Sequence, residues 1–105
     1  MDKNLIDKDN MHKRNKEQLY KAILSLNTVE ECMDFFEDIC TPREIESYVQ
    51  RFRVAIRVYD GDSYETINIE HNARSNLIYR IKQCLNRESS GLKSVIERLR
   101  EQGVV

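Results

Sequence analysis

The chain has 105 residues, with 17 Lys or Arg and 18 Asp or Glu, for a formal net charge of −1. This length corresponds to one small domain with a limited core of its own, and three glycines with one proline exclude collagen-like and Gly/Pro-rich disordered chains. No apolar run approaches the ~20 residues of a membrane span, so we expect neither membrane association nor a secretory signal. Three cysteines without a CxxC pair indicate reduced thiols and a cytoplasmic location.

The N-terminal part of the chain carries two different patterns. Residues 1–14 alternate in charge sign and lack apolar periodicity, which predicts a mobile arm. From Asn15 onward apolar residues recur at the spacing of one helix face, which predicts a folded helical domain over 15–101. The residues of this first face are Leu19, Ala22, Ile23 and Leu26.

Capping signals predict where the next two helices begin. Thr28 followed by Glu31 is a capping box for a second helix. Thr41-Pro42 followed by Glu44 is a stronger signal for a third, because proline at the first helical position has no N–H to leave unpaired.

Both helices carry an apolar stripe that predicts a buried face. The stripe of the second helix consists of Val29, Cys32, Phe35, Phe36 and Ile39. The third helix is expected to run to about Tyr59, before Gly61, and its stripe consists of Ile45, Tyr48, Val49, Phe52, Ala55, Ile56 and Tyr59.

A short helix, a four-residue break and a longer helix follow, which is the layout of a helix-turn-helix motif over about 63–86. Asp62 or Ser63 is expected to cap the first helix, and Asn72 in the break tolerates a positive φ. The second helix is predicted over 75–86. After a loop, a last helix carries Leu92, Val95, Ile96 and Leu99. Since no segment alternates as a strand does, the predicted fold class is all-α with about six helices.

The helix at 75–86 carries the pattern that points to function. One side gathers its apolar residues, and the other presents Asn76, Tyr79, Arg80 and Gln83. Arginine can bridge the two acceptors of guanine, and Asn or Gln can pair with adenine in the major groove. Residues 71–87 contain four Lys or Arg and no acidic residue, a local charge of +4. The candidate DNA-binding residues are therefore Arg74, Ser75, Asn76, Tyr79, Arg80, Lys82, Gln83 and Arg87; the alternative for this face is a solvated surface without a ligand.

Catalysis is not indicated by any motif. The sequence contains no Gly-rich phosphate loop, no HExxH and no metal-ligand spacing. Cys40 or Cys84 with His71 would be a candidate nucleophile and base. However, Cys84 falls on the apolar side of its helix and Cys40 ends one, which favours structural cysteines. We therefore expect no enzyme activity, no cofactor and no metal.

Five segments of the chain resemble the Trp repressor superfamily, most closely the small bacterial Trp-repressor-related proteins of the YerC/YecD type. They are FFEDICTPREI (35–45), QRFRVA (50–55), SYETI (63–67), IYRIKQCLN (78–86) and GLKSVIERL (91–99). The resemblance covers roughly residues 15–100. It implies a Trp-repressor-like, intertwined homodimer in which the N-terminal helices of each chain wrap the other. It also implies a transcriptional repressor that binds double-stranded DNA at a pseudo-palindromic operator.

The resemblance also implies a pocket for a small-molecule effector. Two arginines hold tryptophan in the Trp repressor, and the matching positions here are Arg51 and Arg80. The residue after the second arginine is glycine in the Trp repressor, where it leaves room for the indole, and is Ile81 here. Because the Ile81 side chain should occupy part of that space, tryptophan itself is not expected to be the effector.

The turn and the recognition helix depart from the pattern of the related proteins. Residues 71–74 read His-Asn-Ala-Arg where relatives usually read Thr-Gly-Ala-Ser or similar, so capping is expected to shift from Arg74 to Ser75. Tyr79 replaces a Ser or Thr. Base contacts therefore cannot be copied from the family, and the alternative function is a dimeric helical protein-interaction module that has lost operator binding.

Overall fold

Six α-helices and no strand make up the part of the chain that the computed structural model describes, which is the backbone of residues 3–105 with side-chain environments from residue 7 onward. The all-α prediction is confirmed. No helix among these residues is long and apolar enough to cross a bilayer. The chain divides into two compact units, with the boundary between Thr41 and Pro42. The helices are α1 (Lys3–Leu24), α2 (Val29–Ile39), α3 (Pro42–Tyr59), α4 (Tyr64–His71), α5 (Ser75–Asn86) and α6 (Gly91–Glu101).

In the first unit, α1 begins well before the start predicted for the first helix. The apolar pattern predicts a helix from Asn15, whereas α1 begins at Lys3, so residues 3–14 are helical and not an arm without regular structure. Residues 1 and 2 of the predicted arm lie outside the described residues. Residues 3–14 include good helix formers such as Lys, Leu, Met and Arg and contain no Gly or Pro, and intrinsic propensity favours a helix without an apolar stripe.

Helix α2 begins where its capping signal predicts but does not bury the predicted face within the chain. Thr28 Oγ1 accepts a hydrogen bond from the Glu31 N–H at 3.0 Å. No residue of α2 is buried, however, and Val29 is 71% exposed. Phe35 and Phe36 are half-buried and meet edge to face, with ring centroids 5.4 Å apart. The stripe therefore identifies the apolar face of α2 correctly, but the described residues of the chain leave that face partly open to solvent.

The second unit has its core around α3, which packs against α4, α5 and α6. Because three helices surround it, α3 buries the consecutive residues Val54, Ala55 and Ile56, and Val54 was absent from the predicted stripe. At the other end of the stripe Tyr48 and Val49 are exposed, so the prediction that they are buried is wrong for the single chain. Among the residues whose burial the structure describes, the buried apolar ones are Val54, Ala55, Ile56, Ile67, Ala73, Ile78, Ile81, Leu85 and Ile96.

Polar contacts fasten α6 to the end of α3. Tyr59 Oη donates a hydrogen bond to a Glu97 carboxylate oxygen at 3.1 Å, and this bond raises the pKa of Tyr59 because the neighbouring charge disfavours the phenolate. Arg100 Nη2 reaches both carboxylate oxygens of Asp60, at 3.0 and 3.1 Å. Ser90 is buried and caps α6 by accepting a hydrogen bond from the Lys93 N–H at 3.1 Å. These contacts stabilise the unit on which the helix-turn-helix motif rests.

Candidate nucleic-acid interface

Helices α4 and α5 form the helix-turn-helix motif, with the turn between them at residues 72–74. Of the two candidate caps for α4, it is Ser63 whose Oγ accepts a hydrogen bond from the Thr66 N–H, at 3.2 Å. Asn72 ends α4 in the left-handed region with φ of 50°, as its tolerance of positive φ predicts. Helix α5 spans Ser75–Asn86, the range predicted from the sequence.

Side chains of α3 and α4 hold the backbone of the turn. Gln50 Nε2 donates to the carbonyl oxygen of His71 at 3.0 Å and lies 3.3 Å from that of Asn72. Asn68 Nδ2 donates to the carbonyl oxygen of Ala73 at 2.7 Å, and the Ala73 side chain is fully buried. These contacts fix the direction in which α5 leaves the turn.

An ion-pair cluster on Arg57 joins the end of α3 to both ends of α4. The Arg57 guanidinium pairs with Asp62 just before α4 and with Glu70 in its last turn. Hydrogen bonds to both carboxylates raise the pKa of Arg57 above its ordinary value, and the bond to Asp62 has a larger effect than the bond to Glu70. Arg57 Nη1 also lies 3.3 Å from His71 Nε2. The sequence did not predict this cluster, because a basic residue on a polar helix face gives no sign of which carboxylates outside its own helix it will meet.

Helix α5 has the two faces that its periodicity predicts. Ile78, Ile81 and Leu85 are buried, and Leu77 and Cys84 are half-buried. The eight residues predicted to contact DNA all lie on the solvent side of α5 or at its two ends, where each of them is exposed. They are Arg74, Ser75, Asn76, Tyr79, Arg80, Lys82, Gln83 and Arg87. The structure therefore brings the predicted set together on one accessible surface.

The start of α5 differs from the expectation that Ser75 would take over the capping role. The N-cap is Arg74, which has extended backbone angles and provides no side-chain hydrogen bond to the helix. Ser75 is already the first helical residue, and the capping geometry requires the extended residue before it. An N-terminus without a side-chain cap leaves backbone N–H groups available to water or to an anion such as a phosphate.

A hydrogen bond joins two of the candidate DNA-binding residues. Gln83 Nε2 donates to Tyr79 Oη at 3.1 Å, one helical turn away on the exposed face of α5. Both residues were predicted to face DNA, but the contact between them was not predicted. Their i, i+4 spacing was the available signal, because side chains at that spacing are neighbours on a helix surface.

The two arginines of the predicted effector pocket line one cavity of about 320 Å³ between α3, α5 and the start of α6. Arg51 lies with its guanidinium carbon 5.7 Å from the centre of the Tyr48 ring. Ile81, which is only 6% exposed, is part of the wall. In the described part of the chain no group of His, Cys, Asp and Glu is arranged to bind a metal. The residues that line the cavity are Tyr48, Arg51, Phe52, Leu77, Arg80, Ile81, Cys84 and Leu92.

Comparison with known proteins identifies the group to which this helical arrangement belongs. The family model of the Trp repressor protein matches residues 14–100. The chain belongs to the Trp repressor family. The YerC protein of Bacillus subtilis (strain 168) is 38% identical over 93 residues, which are 89% of either chain. Membership of this family suggests a DNA-binding regulator.

Two solved structures are similar to this chain. A TrpR-like protein from Eubacterium eligens superimposes with a TM-score of 0.77 at 41% identity, covering 83% of this chain and 90% of that one. A crystal structure from Staphylococcus aureus gives a TM-score of 0.76 at 36% identity, covering 83% of this chain and 87% of the other. The Trp-repressor-like fold that the resemblance implies is therefore confirmed.

Tryptophan is expected not to bind the cavity of the unmodified protein, because Ile81 is part of the cavity wall and stands where the Trp repressor has a glycine that leaves room for the indole. Replacing Ile81 with Ala should enlarge the cavity and tighten tryptophan binding by about tenfold or more, as measured by calorimetry. Leu85→Ala is the matched control, since it truncates a buried residue of the same helix that does not line this cavity. Tight binding by the unmodified protein, or equal gains in both variants, would contradict the role assigned to Ile81.

Proposed function

We propose that this protein is a sequence-specific DNA-binding transcriptional repressor, which reads a pseudo-palindromic operator as a homodimer through the helix at 75–86. The observation that carries the proposal is the division of α5 into a buried face and an exposed face with Asn76, Arg80 and Gln83. Between residues 71 and 87 no acidic residue repels a nucleic acid. Membership of the Trp repressor family supports the same function.

The exposed residues divide into two groups by what their chemistry can recognise. Asn76, Arg80 and Gln83 carry donors and acceptors that match base edges in the major groove. The other basic residues, together with the Ser75 hydroxyl and the start of α5, are suited to phosphate oxygens, which position a protein on the duplex without reading sequence. This second group includes Arg74, Lys82 and Arg87.

A second copy of the chain is the partner that we propose for the exposed apolar residues of α1, α2 and α3. Large apolar side chains left open in such number are typical of an association surface. A symmetric dimer would also present two copies of α5 to successive major grooves, about 34 Å apart. The residues concerned are Leu19, Tyr20, Leu24, Val29, Met33, Ile39, Tyr48 and Val49.

For the cavity between Arg51 and Arg80 we propose a small-molecule effector with an anionic group. The two guanidinium groups can pair with a carboxylate, and the remaining wall is largely apolar. Because Arg80 is also a candidate base-reading residue, an effector bound there would directly affect the side chain that meets DNA. Tryptophan is not the proposed effector, because the Ile81 side chain should occupy part of the space that an indole needs.

Selection from a random DNA pool, followed by titration of the enriched site at several salt concentrations, tests the proposed function. Three phosphate-binding cations in each protomer predict a slope of about −5 for log K against log salt in a dimer. Arg87→Ala removes one cation from each protomer, so it should weaken binding to all sequences alike and lower the steepness by about 2. Arg98→Ala is the matched control on α6, exposed and outside the motif, and should leave the slope unchanged.

The salt dependence also separates DNA binding from the alternative function. Failure to enrich any DNA sequence, together with a partner protein bound at an affinity that salt barely changes, would contradict operator binding. The chain would then be the dimeric protein-interaction module, because contacts centred on Tyr79 and Leu77 respond weakly to ionic strength.

A further inference from the structure

Tyr79 and Gln83 form a hydrogen-bonded pair on the exposed face of α5. Gln83 Nε2 donates to Tyr79 Oη at 3.1 Å, and Tyr79 is 64% exposed, so both groups remain accessible from solvent. An exposed glutamine normally samples many rotamers and loses that freedom when it binds. A contact that orders the side chain in the free protein reduces this loss, and a preorganised group binds more tightly and selectively.

The hydrogen bond also decides which donors and acceptors of the Gln83 amide remain available. A glutamine amide has two N–H donors and one carbonyl acceptor, and Tyr79 Oη takes one of the donors. One donor and one acceptor remain. This combination matches the N7 acceptor and the N6 amino donor that adenine presents in the major groove. Guanine presents two acceptors there, one of which would face the Gln83 carbonyl oxygen without a proton between them.

We propose that Tyr79 is a positioning residue that holds the Gln83 amide in the orientation that pairs with adenine. It follows that each half of the operator carries an A·T pair where Gln83 meets the groove. This inference rests on the proposed DNA-binding function and adds to it the base that one side chain selects. Tyr79 acts through Gln83, and its hydroxyl, not its ring, is the essential group.

The test measures the base preference of the unmodified protein and of its variants on the operator that the unmodified protein selects. Every base pair of the half-site is varied in turn, and the ratio of affinities for adenine and the other bases is measured at each position. Gln83→Ala should reduce the adenine preference by about tenfold or more at one symmetric pair of positions and leave the other preferences in place. Tyr79→Phe keeps the ring and removes the hydroxyl, so it should reduce the same preference about fivefold, the effect of one hydrogen bond.

Two controls separate positioning from direct contact and from general weakening. Tyr79→Phe introduced into Gln83→Ala should change the preference no further, because the two side chains act through one interaction. Arg87→Ala should weaken binding to all sequences while the adenine preference stays the same.

Different results overturn different parts of the proposal. An operator without an adenine preference at symmetric positions would refute the role of Gln83 while DNA binding stands. A Tyr79→Phe effect at another base pair, or an undiminished effect in the Gln83→Ala background, would assign Tyr79 its own base contact. If neither the unmodified protein nor any variant binds DNA, both the pairing of Gln83 with adenine and the proposed function are wrong.

Discussion

Replacing Ile67 with alanine is expected to lower the free energy of unfolding by about 2–5 kcal/mol, the range for truncating a fully buried aliphatic side chain. Ile67 has no exposed surface and is the single buried residue of the eight-residue helix α4. A helix this short is not stable by itself, so its place in the motif depends on tertiary packing. The loss should appear in urea denaturation followed by circular dichroism, at one fixed protein concentration.

Ile69→Ala is the matched control for this prediction. It makes the same chemical change on the same helix, two residues along, but Ile69 is 80% exposed. Its effect should stay within about 0.5 kcal/mol, as for surface substitutions elsewhere. Similar losses for the two variants would mean that α4 is not anchored by Ile67 and that the burial pattern described for it is wrong.

The position of α4 also matters for DNA recognition. Ile67 attaches α4 from its apolar side, while the Arg57 cluster and the Gln50 contacts hold the motif from α3. The polar contacts among them join α3 to α4 and to the residue just before it. If the anchor is removed, α5 should lose its defined direction, so Ile67→Ala should also weaken operator binding although Ile67 cannot reach a base.

The motif was the part of the fold that could be predicted best, because its signals are local. A serine cap at Ser63, an Asn72 tolerant of positive φ and a clear change of periodicity at Ser75 all act within a few residues. The sidedness of α5 follows from the same local rule, since a 3.6-residue period separates the buried Ile78 and Ile81 from the exposed residues. For this reason the residues of the candidate interface could be predicted from the sequence.

Two kinds of feature could not be predicted from the sequence. They are contacts between residues that only the folded chain brings together, and a helical segment that carries no apolar stripe. The contacts of Gln50 and Arg57 join residues far apart in sequence, and only the folded chain brings them together. The early start of α1 carries no apolar pattern, so periodicity gave no sign of it. Val54 was missed because a stripe describes one covered side, whereas α3 is covered on more than one.

The prediction that α2 buries its apolar face differs from the single-chain structure for another reason. That reason leads to a test of the proposed dimer. The apolar stripe of α2 shows that one face of the helix is apolar, but it does not show which molecule covers that face. Val29, predicted to be buried, is 71% exposed in the single chain. If a second copy covers it, as we propose, the sequence pattern reflects the core of a dimer and not the core of one protomer.

Val29→Glu is therefore expected to convert the proposed dimer to a monomer. Val29 is the first residue of α2, where an acidic side chain suits the positive end of the helix, so the substitution should not unfold α2 itself. In a dimer interface the same carboxylate would be buried without a cation, at a cost of several kcal/mol. Light scattering should show the mass of one chain. Affinity for a two-half-site operator should fall by about a hundredfold or more, because the two reading helices no longer bind as one unit.

Ile69→Glu provides the comparison for this last experiment. It places the same charge on an equally open apolar residue, but on α4, outside the apolar residues of α1 to α3 that we assign to the partner. This variant should remain a dimer by light scattering. A Val29→Glu protein that stays dimeric, with circular dichroism unchanged, would exclude α2 from the interface. The exposed stripe would then need a different partner, whereas a monomer that still binds a single half-site weakly would support both the dimer and the reading role of α5.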